Sequence, residues 1–207
     1  MATNLKITFI DHYDSFSLNV IDWLSRYAPI GWDIDHLYFD DSNNIRGLIN
    51  QPTAIVISPG PNSPDSYLST LPLVESFMGH VPILGICLGF QMIGKIAGGT
   101  IVSSRKVFHG TTRRIFRCNL NDRLMSAMPN EFVAMSYNSL SINFLGNKSD
   151  VEVSSMCEFG DLQSITVKAK SSPTIGVQFH PESFLSVNCG AIAQNFWKIV
   201  TDPNSYA

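Results

Sequence analysis

The first hundred residues alternate between two hydrophobic rhythms. "LKITFID" (Leu5–Asp11) is a β-branched and aromatic run that predicts a buried strand. "SFSLNVIDWLSRY" (Ser15–Tyr27) places apolar residues at helical spacing behind a serine able to cap its start. "WDIDHLYF" (Trp32–Phe39) alternates as a strand does. "TAIVIS" (Thr53–Ser58) predicts a fully buried strand ending in the turn-rich "PGPNSPDS". A helix over about Leu68–Met78, a strand "VPILGIC" (Val81–Cys87) and a helix from about Leu88 to Ala97 follow. Strands alternating with helices predict βαβ units and a parallel sheet covered on both faces.

The second half changes character. Between Gly98 and about Gln178 the pattern predicts mostly short strands: "GTIVSS", "TTRRIFRC", "EFVAMSY", "DVEVSSMC", "LQSITVKA" and "TIGVQF". These are expected as antiparallel extensions of the same sheet, with a closing helix near Asn188–Val200. The predicted fold is therefore α/β, an open, mostly parallel central sheet with helices on both faces and antiparallel strand extensions in the second half. No repeat, low-complexity tract or Pro/Ser-rich linker marks a boundary, so residues 1–207 are expected to form a single domain.

Composition narrows the partners. Hydrophobic residues make up 44% of the chain and charged ones 15%, enough apolar material for a substantial core. A net charge of −3 supplies no basic footprint for nucleic acid. No apolar stretch reaches the ~18 residues that span a bilayer. The opening "MATNLKITFIDHYDSF" lacks a basic segment followed by a cleavable apolar one. Cys87, Cys118, Cys157 and Cys189 are far apart, which predicts free thiols in a reducing cytoplasm rather than disulfides. The five histidines are scattered too, so no metal site is expected.

Chemistry enters at "PILGICLGFQ" (Pro82–Gln91), where the form Gly85–Ile86–Cys87–Leu88–Gly89 matches a nucleophile elbow with cysteine as nucleophile. A side chain on a sharp strand-to-helix turn projects from the carboxyl edge of a sheet. The helix N-terminus favours its thiolate, and the N–H of Leu88 can meet a developing oxyanion. "TIGVQFHPESF" (Thr174–Phe184) ends a strand in His180–Pro181–Glu182. Histidine has the pKa of a general base, and a carboxylate two residues on can orient its ring. Cys87, His180 and Glu182 are thus a candidate triad. "ISPGPNSP" (Ile57–Pro64) ends another core strand, where Gly60 can present a second oxyanion N–H beside that of Leu88.

These three stretches together resemble the class I, triad-type glutamine amidotransferases, in the family's order and over about Leu5–Val200. "FIDHYDSFSLNV" (Phe9–Val20) is similar to the opening of the subfamily that feeds ammonia to chorismate-using synthases, the small subunits of anthranilate and aminodeoxychorismate synthase. "FHGTTR" (Phe108–Arg113) and "SYNSLSI" (Ser136–Ile142) fall where that subfamily has an M-H-G loop and a Y-H-S-L segment. The resemblance implies Cys87 as nucleophile, His180 as base then acid, Glu182 as its orienter, and Gly60 and Leu88 as oxyanion donors. It implies Gly60, Asn62, Leu88, Gln91, Ser139 and Leu140 as glutamine contacts. The implied activity is a glutaminase that hydrolyses L-glutamine through a cysteine thioester and delivers ammonia to a separate chorismate-using large subunit. No cofactor is implied for this chain; a partner synthase of this type uses Mg2+. An amidotransferase subunit for another acceptor, a hydrolase of γ-glutamyl compounds and a non-catalytic regulatory subunit are the alternatives. The chain departs from the family pattern at Phe90, Asn62 and Asn138, and Asn62 suits a position with left-handed backbone angles.

Overall fold

A computed structural model describes residues 5–41, 52–107, 109–146, 148–168 and 171–202. Eleven strands and four helices are assigned among them: β1 (Leu5–Asp11), α1 (Ser17–Ser25), β2 (Trp32–Tyr38), β3 (Ala54–Ile57), α2 (Thr70–Phe77), β4 (Ile83–Ile86), α3 (Leu88–Ile96), β5 (Thr100–Ser103), β6 (Thr111–Arg117), β7 (Glu131–Ser136), β8 (Leu140–Asn143), β9 (Val151–Cys157), β10 (Leu162–Val167), β11 (Thr174–Val177) and α4 (Gly190–Thr201). Nine strands form one sheet in the order β2-β1-β3-β4-β11-β10-β9-β6-β7. The strands from β2 to β11 pair in parallel, and those from β11 to β7 pair antiparallel.

The apolar runs dictate this arrangement. β3 and β4 are buried at every position because helices cover both faces. Ile7, Phe9, Val56, Leu84, Ile86, Ile175 and Val177 face one layer, packing with Val20, Trp23 and Leu24 of α1 and with Ile192, Phe196 and Val200 of α4. Ile55, Ile57, Ile83 and Ile165 face the other, with Val74 of α2 and with Phe90 and Ile93 of α3.

The structure differs from expectation at the first helix and in the second half. Ser15 does not cap α1, whose start carries no side-chain cap bond. Asp14 and Asp11 organise that entry instead, accepting from Phe16 N at 2.8 Å and Ser17 Oγ at 2.6 Å. β5 does not extend the main sheet. It pairs antiparallel with β8, a strand that the serine- and asparagine-rich "SYNSLSI" did not announce, in a separate two-stranded sheet. Phe108 and Ala169, the latter assigned by its sequence to the tenth strand, lie outside the described residues.

Candidate active site

Four neighbouring parallel strands deliver the candidate residues at their carboxyl ends: β1 leads to His12, β3 to Gly60, β4 to Cys87 and β11 to His180. Cys87 lies between β4 and α3 with φ 54° and ψ −98°, a left-handed conformation unusual for a side chain carrying a β-carbon. The turn is tight because its glycines allow it. A β-carbon on Gly85 would come 2.5 Å from the Gly89 carbonyl, and one on Gly89 would come 2.6 Å from the Ile57 carbonyl. The register Gly85↔Gly176 and Ile86↔Val177 then sets the chain beyond β11 beside Cys87, although the two segments are about ninety residues apart.

His180 and Glu182 meet there. His180 Nδ1 lies 2.7 Å from Glu182 Oε1, with both side chains almost fully buried. A carboxylate only accepts, so Nδ1 carries the hydrogen and the buried Nε2 remains for proton exchange with Cys87. Burial disfavours the imidazolium, but the nearby Cys87 and Glu182 outweigh it and hold the His180 pKa well above its ordinary value. The backbone is anchored by His180 N donating to Met135 O at 2.9 Å and Ser186 Oγ donating to His180 O at 2.6 Å.

Gly60 packs against the start of α3, where its β-carbon would lie 2.5 Å from Leu88 Cδ2. Leu88 is the first residue of α3, so its N–H has no acceptor within the helix. The PGP loop is secured from below. His12 N and Nδ1 lie 2.8 and 3.2 Å from Ser58 Oγ, and Tyr67 Oη donates to Pro61 O at 2.9 Å. Asn62 adopts φ 64°, as its residue type suggested. Gln91 Nε2 donates to Gln178 Oε1 at 3.1 Å and more weakly to Leu140 O at 3.4 Å. Asn138 Nδ2 donates to the same carbonyl at 2.8 Å.

Cys87, Leu88, Gly60, Gln91, Leu140, His180 and Glu182 are therefore joined through direct contacts or one intervening residue. Asn62 and Ser139 are exposed at the rim, and among the described residues no hydrogen bond joins either to Cys87. Phe90 is fully buried, packed on Gly176 of β11, so it belongs to the layer behind the site.

Several neighbours escaped the sequence reading. Tyr137 and Phe16 present rings to His180 at 4.9 and 5.7 Å, and stack on each other at 4.9 Å. Asp14 lies near enough for His180 and Glu182 to act on its charge; burial raises its pKa, Glu182 and Asp11 add to the rise, and Phe16 N–H and His180 oppose it. Gln178, fully buried, lies 3.6 Å from Cys87 Sγ. Its signal was a polar side chain inside the otherwise apolar "TIGVQF".

The family profile described as "Glutamine amidotransferase class-I" matches residues 8–199. An "Anthranilate synthase component 2" of Pyropia yezoensis is 34% identical over 192 residues, covering 92% of this chain and 97% of that one. The "Bifunctional protein TrpGD" of Thermotoga maritima is 35% identical over 195 residues, 94% of this chain but only 32% of that longer protein. A solved chain from Thermoplasma acidophilum shares the fold with a TM-score of 0.83 over 100% of this chain and 98% of its own, at 21% identity. A glutamine amidotransferase structure from Thermotoga maritima covers 86% of this chain and 76% of its own, at TM-score 0.69 and 19% identity. With profile, relatives and fold in agreement, the chain belongs to the class-I glutamine amidotransferases.

Proposed function

We propose that the chain is the glutaminase subunit of a chorismate-using synthase, hydrolysing L-glutamine at Cys87 and passing ammonia to a separate large subunit. The observation that carries the chemistry is the strained cysteine at a helix start beside a buried His180–Glu182 pair. The Cys87 thiolate attacks the side-chain carboxamide, and the N–H groups of Gly60 and Leu88 receive the oxyanion. His180 Nε2 protonates the departing nitrogen, leaving a γ-glutamyl thioester. His180 then takes a proton from water, which releases glutamate and restores the thiolate. Glu182 holds the ring in the tautomer that these transfers need. Gln91, the Ser139–Leu140 backbone and the Gly60–Asn62 loop hold the amino-acid end of glutamine. This chain needs no cofactor for these steps; the Mg2+ expected in such a complex belongs to the synthase. Relatives named anthranilate synthase component 2 support the choice of partner.

Glutamate release is to be measured with the purified chain, alone and mixed with anthranilate and aminodeoxychorismate synthase large subunits. Release is expected to rise with the cognate subunit, and Cys87→Ser is expected to abolish it while that complex still uses added ammonia. If no combination releases glutamate, and glutamine does not protect Cys87 from alkylation, the proposal fails.

A further inference from the structure

Gln178 has no part in the steps above, yet it touches the nucleophile. It is the first residue after β11 and is fully buried, a place where an unpaired carboxamide is costly. Its orientation follows from its neighbours. The Leu140 carbonyl can only accept, so the Gln91 atom facing it is the amide nitrogen. That same nitrogen lies 3.1 Å from Gln178, so Gln178 must present its oxygen there. The Gln178 nitrogen is then left facing Cys87 Sγ at 3.6 Å. Turning the Gln178 amide over would set two NH2 groups against each other.

The chain of donors continues outward. Asn138 Nδ2 also holds the Leu140 carbonyl, and Arg113 Nη2 reaches Asn138 Oδ1 at 3.4 Å. The row Arg113–Asn138–Leu140–Gln91–Gln178 thus ends in an N–H aimed at sulfur.

We propose that Gln178 is a further catalytic residue, an N–H donor to the Cys87 sulfur that favours its thiolate and fixes its direction of attack. The role rests on Cys87 being the nucleophile. A hydrogen bond to an anion is stronger than one to the neutral thiol, so the donor lowers the pH at which the thiolate forms. It acts again when the thioester breaks, because the thiolate is then the leaving group.

The test is the pH dependence of Cys87 alkylation by iodoacetamide, followed by mass on the peptide containing Cys87, in wild type, Gln178→Met and Gln178→Glu. Methionine keeps the bulk without a donor; glutamate keeps the shape but offers only acceptors once ionised. Both inflections are expected to move upward by about one pH unit or more, with lower kcat for glutamine. The readout needs no turnover and separates two failures. A wild-type Cys87 that alkylates like an ordinary thiol overturns the nucleophile and Gln178 together. A low wild-type inflection that stays in place in Gln178→Glu overturns the Gln178 role alone. The glutamate variant decides the matter if Gln178→Met does not fold.

Discussion

His12 shows how a single residue ties the site to the stability of the fold. Its ring is stacked on Phe39 at 5.5 Å and meets Tyr67 edge-on at 4.9 Å, with Nε2 buried and unpartnered. Burial lowers its pKa to about 4, against the opposing charge of Asp11. The unfolded chain titrates near the ordinary value of about 6.5, so between those values the unfolded state binds more protons. Stability is therefore full above pH 6.5 and falls as pH drops toward 4, by about 3 kcal/mol in all. Urea midpoints at pH 7.5 and 4.5 are expected to differ more for wild type than for His12→Asn; equal differences would assign the acid sensitivity elsewhere. The meeting of Cys87 with the His180–Glu182 pair was legible in the sequence because residue type and local spacing suggested it. His12 and Gln178 were not, since their significance lies in neighbours 46 and 91 positions away.

Elements meet at this site through glycine. β3 and α3 approach so closely that Gly60 has no room for a methyl group between Leu88 Cδ2 and His12 Cβ, at 2.5 and 2.8 Å. The Leu88 tip can turn aside but His12 Cβ cannot, so Gly60→Ala must move the PGP loop and displace the proposed Gly60 oxyanion donor. Loss of one such donor typically costs about 100- to 1,000-fold in rate, so kcat is expected to fall toward that range, with KM rising because the same loop is proposed to hold glutamine, while the melting temperature changes little. A large fall in melting temperature would show instead that the loop supports the fold. The parallel strands and long helices were visible as apolar runs and helical spacing. The β5–β8 pair was not: both strands are four residues long, and only position-by-position register distinguishes a separate ribbon from a sheet extension.

Across the whole molecule, one strand joins two dissimilar halves. Among the described strands of the main sheet, β11 alone lies between the parallel set β2-β1-β3-β4 and the antiparallel set β10-β9-β6-β7. If that seam makes the sheet one cooperative unit, thiols on either side must become reactive together. Cys157 ends β9 in the antiparallel half. Cys189 lies just before α4, and burial, with help from Glu182, pushes its thiol up to about 12. Labelling of these two cysteines against urea concentration is expected to give coincident midpoints, whereas separate midpoints would mark two independently unfolding halves.

The place of β11 in chain order has a consequence for biosynthesis. It leaves the ribosome after both sets that it joins. The segment that closes the sheet also carries Gln178, His180 and Glu182 to Cys87. Until β11 joins the sheet, the Cys87 thiol of a nascent chain has neither Gln178 nor the His180–Glu182 pair beside it, so the proposed site assembles only when the sheet closes.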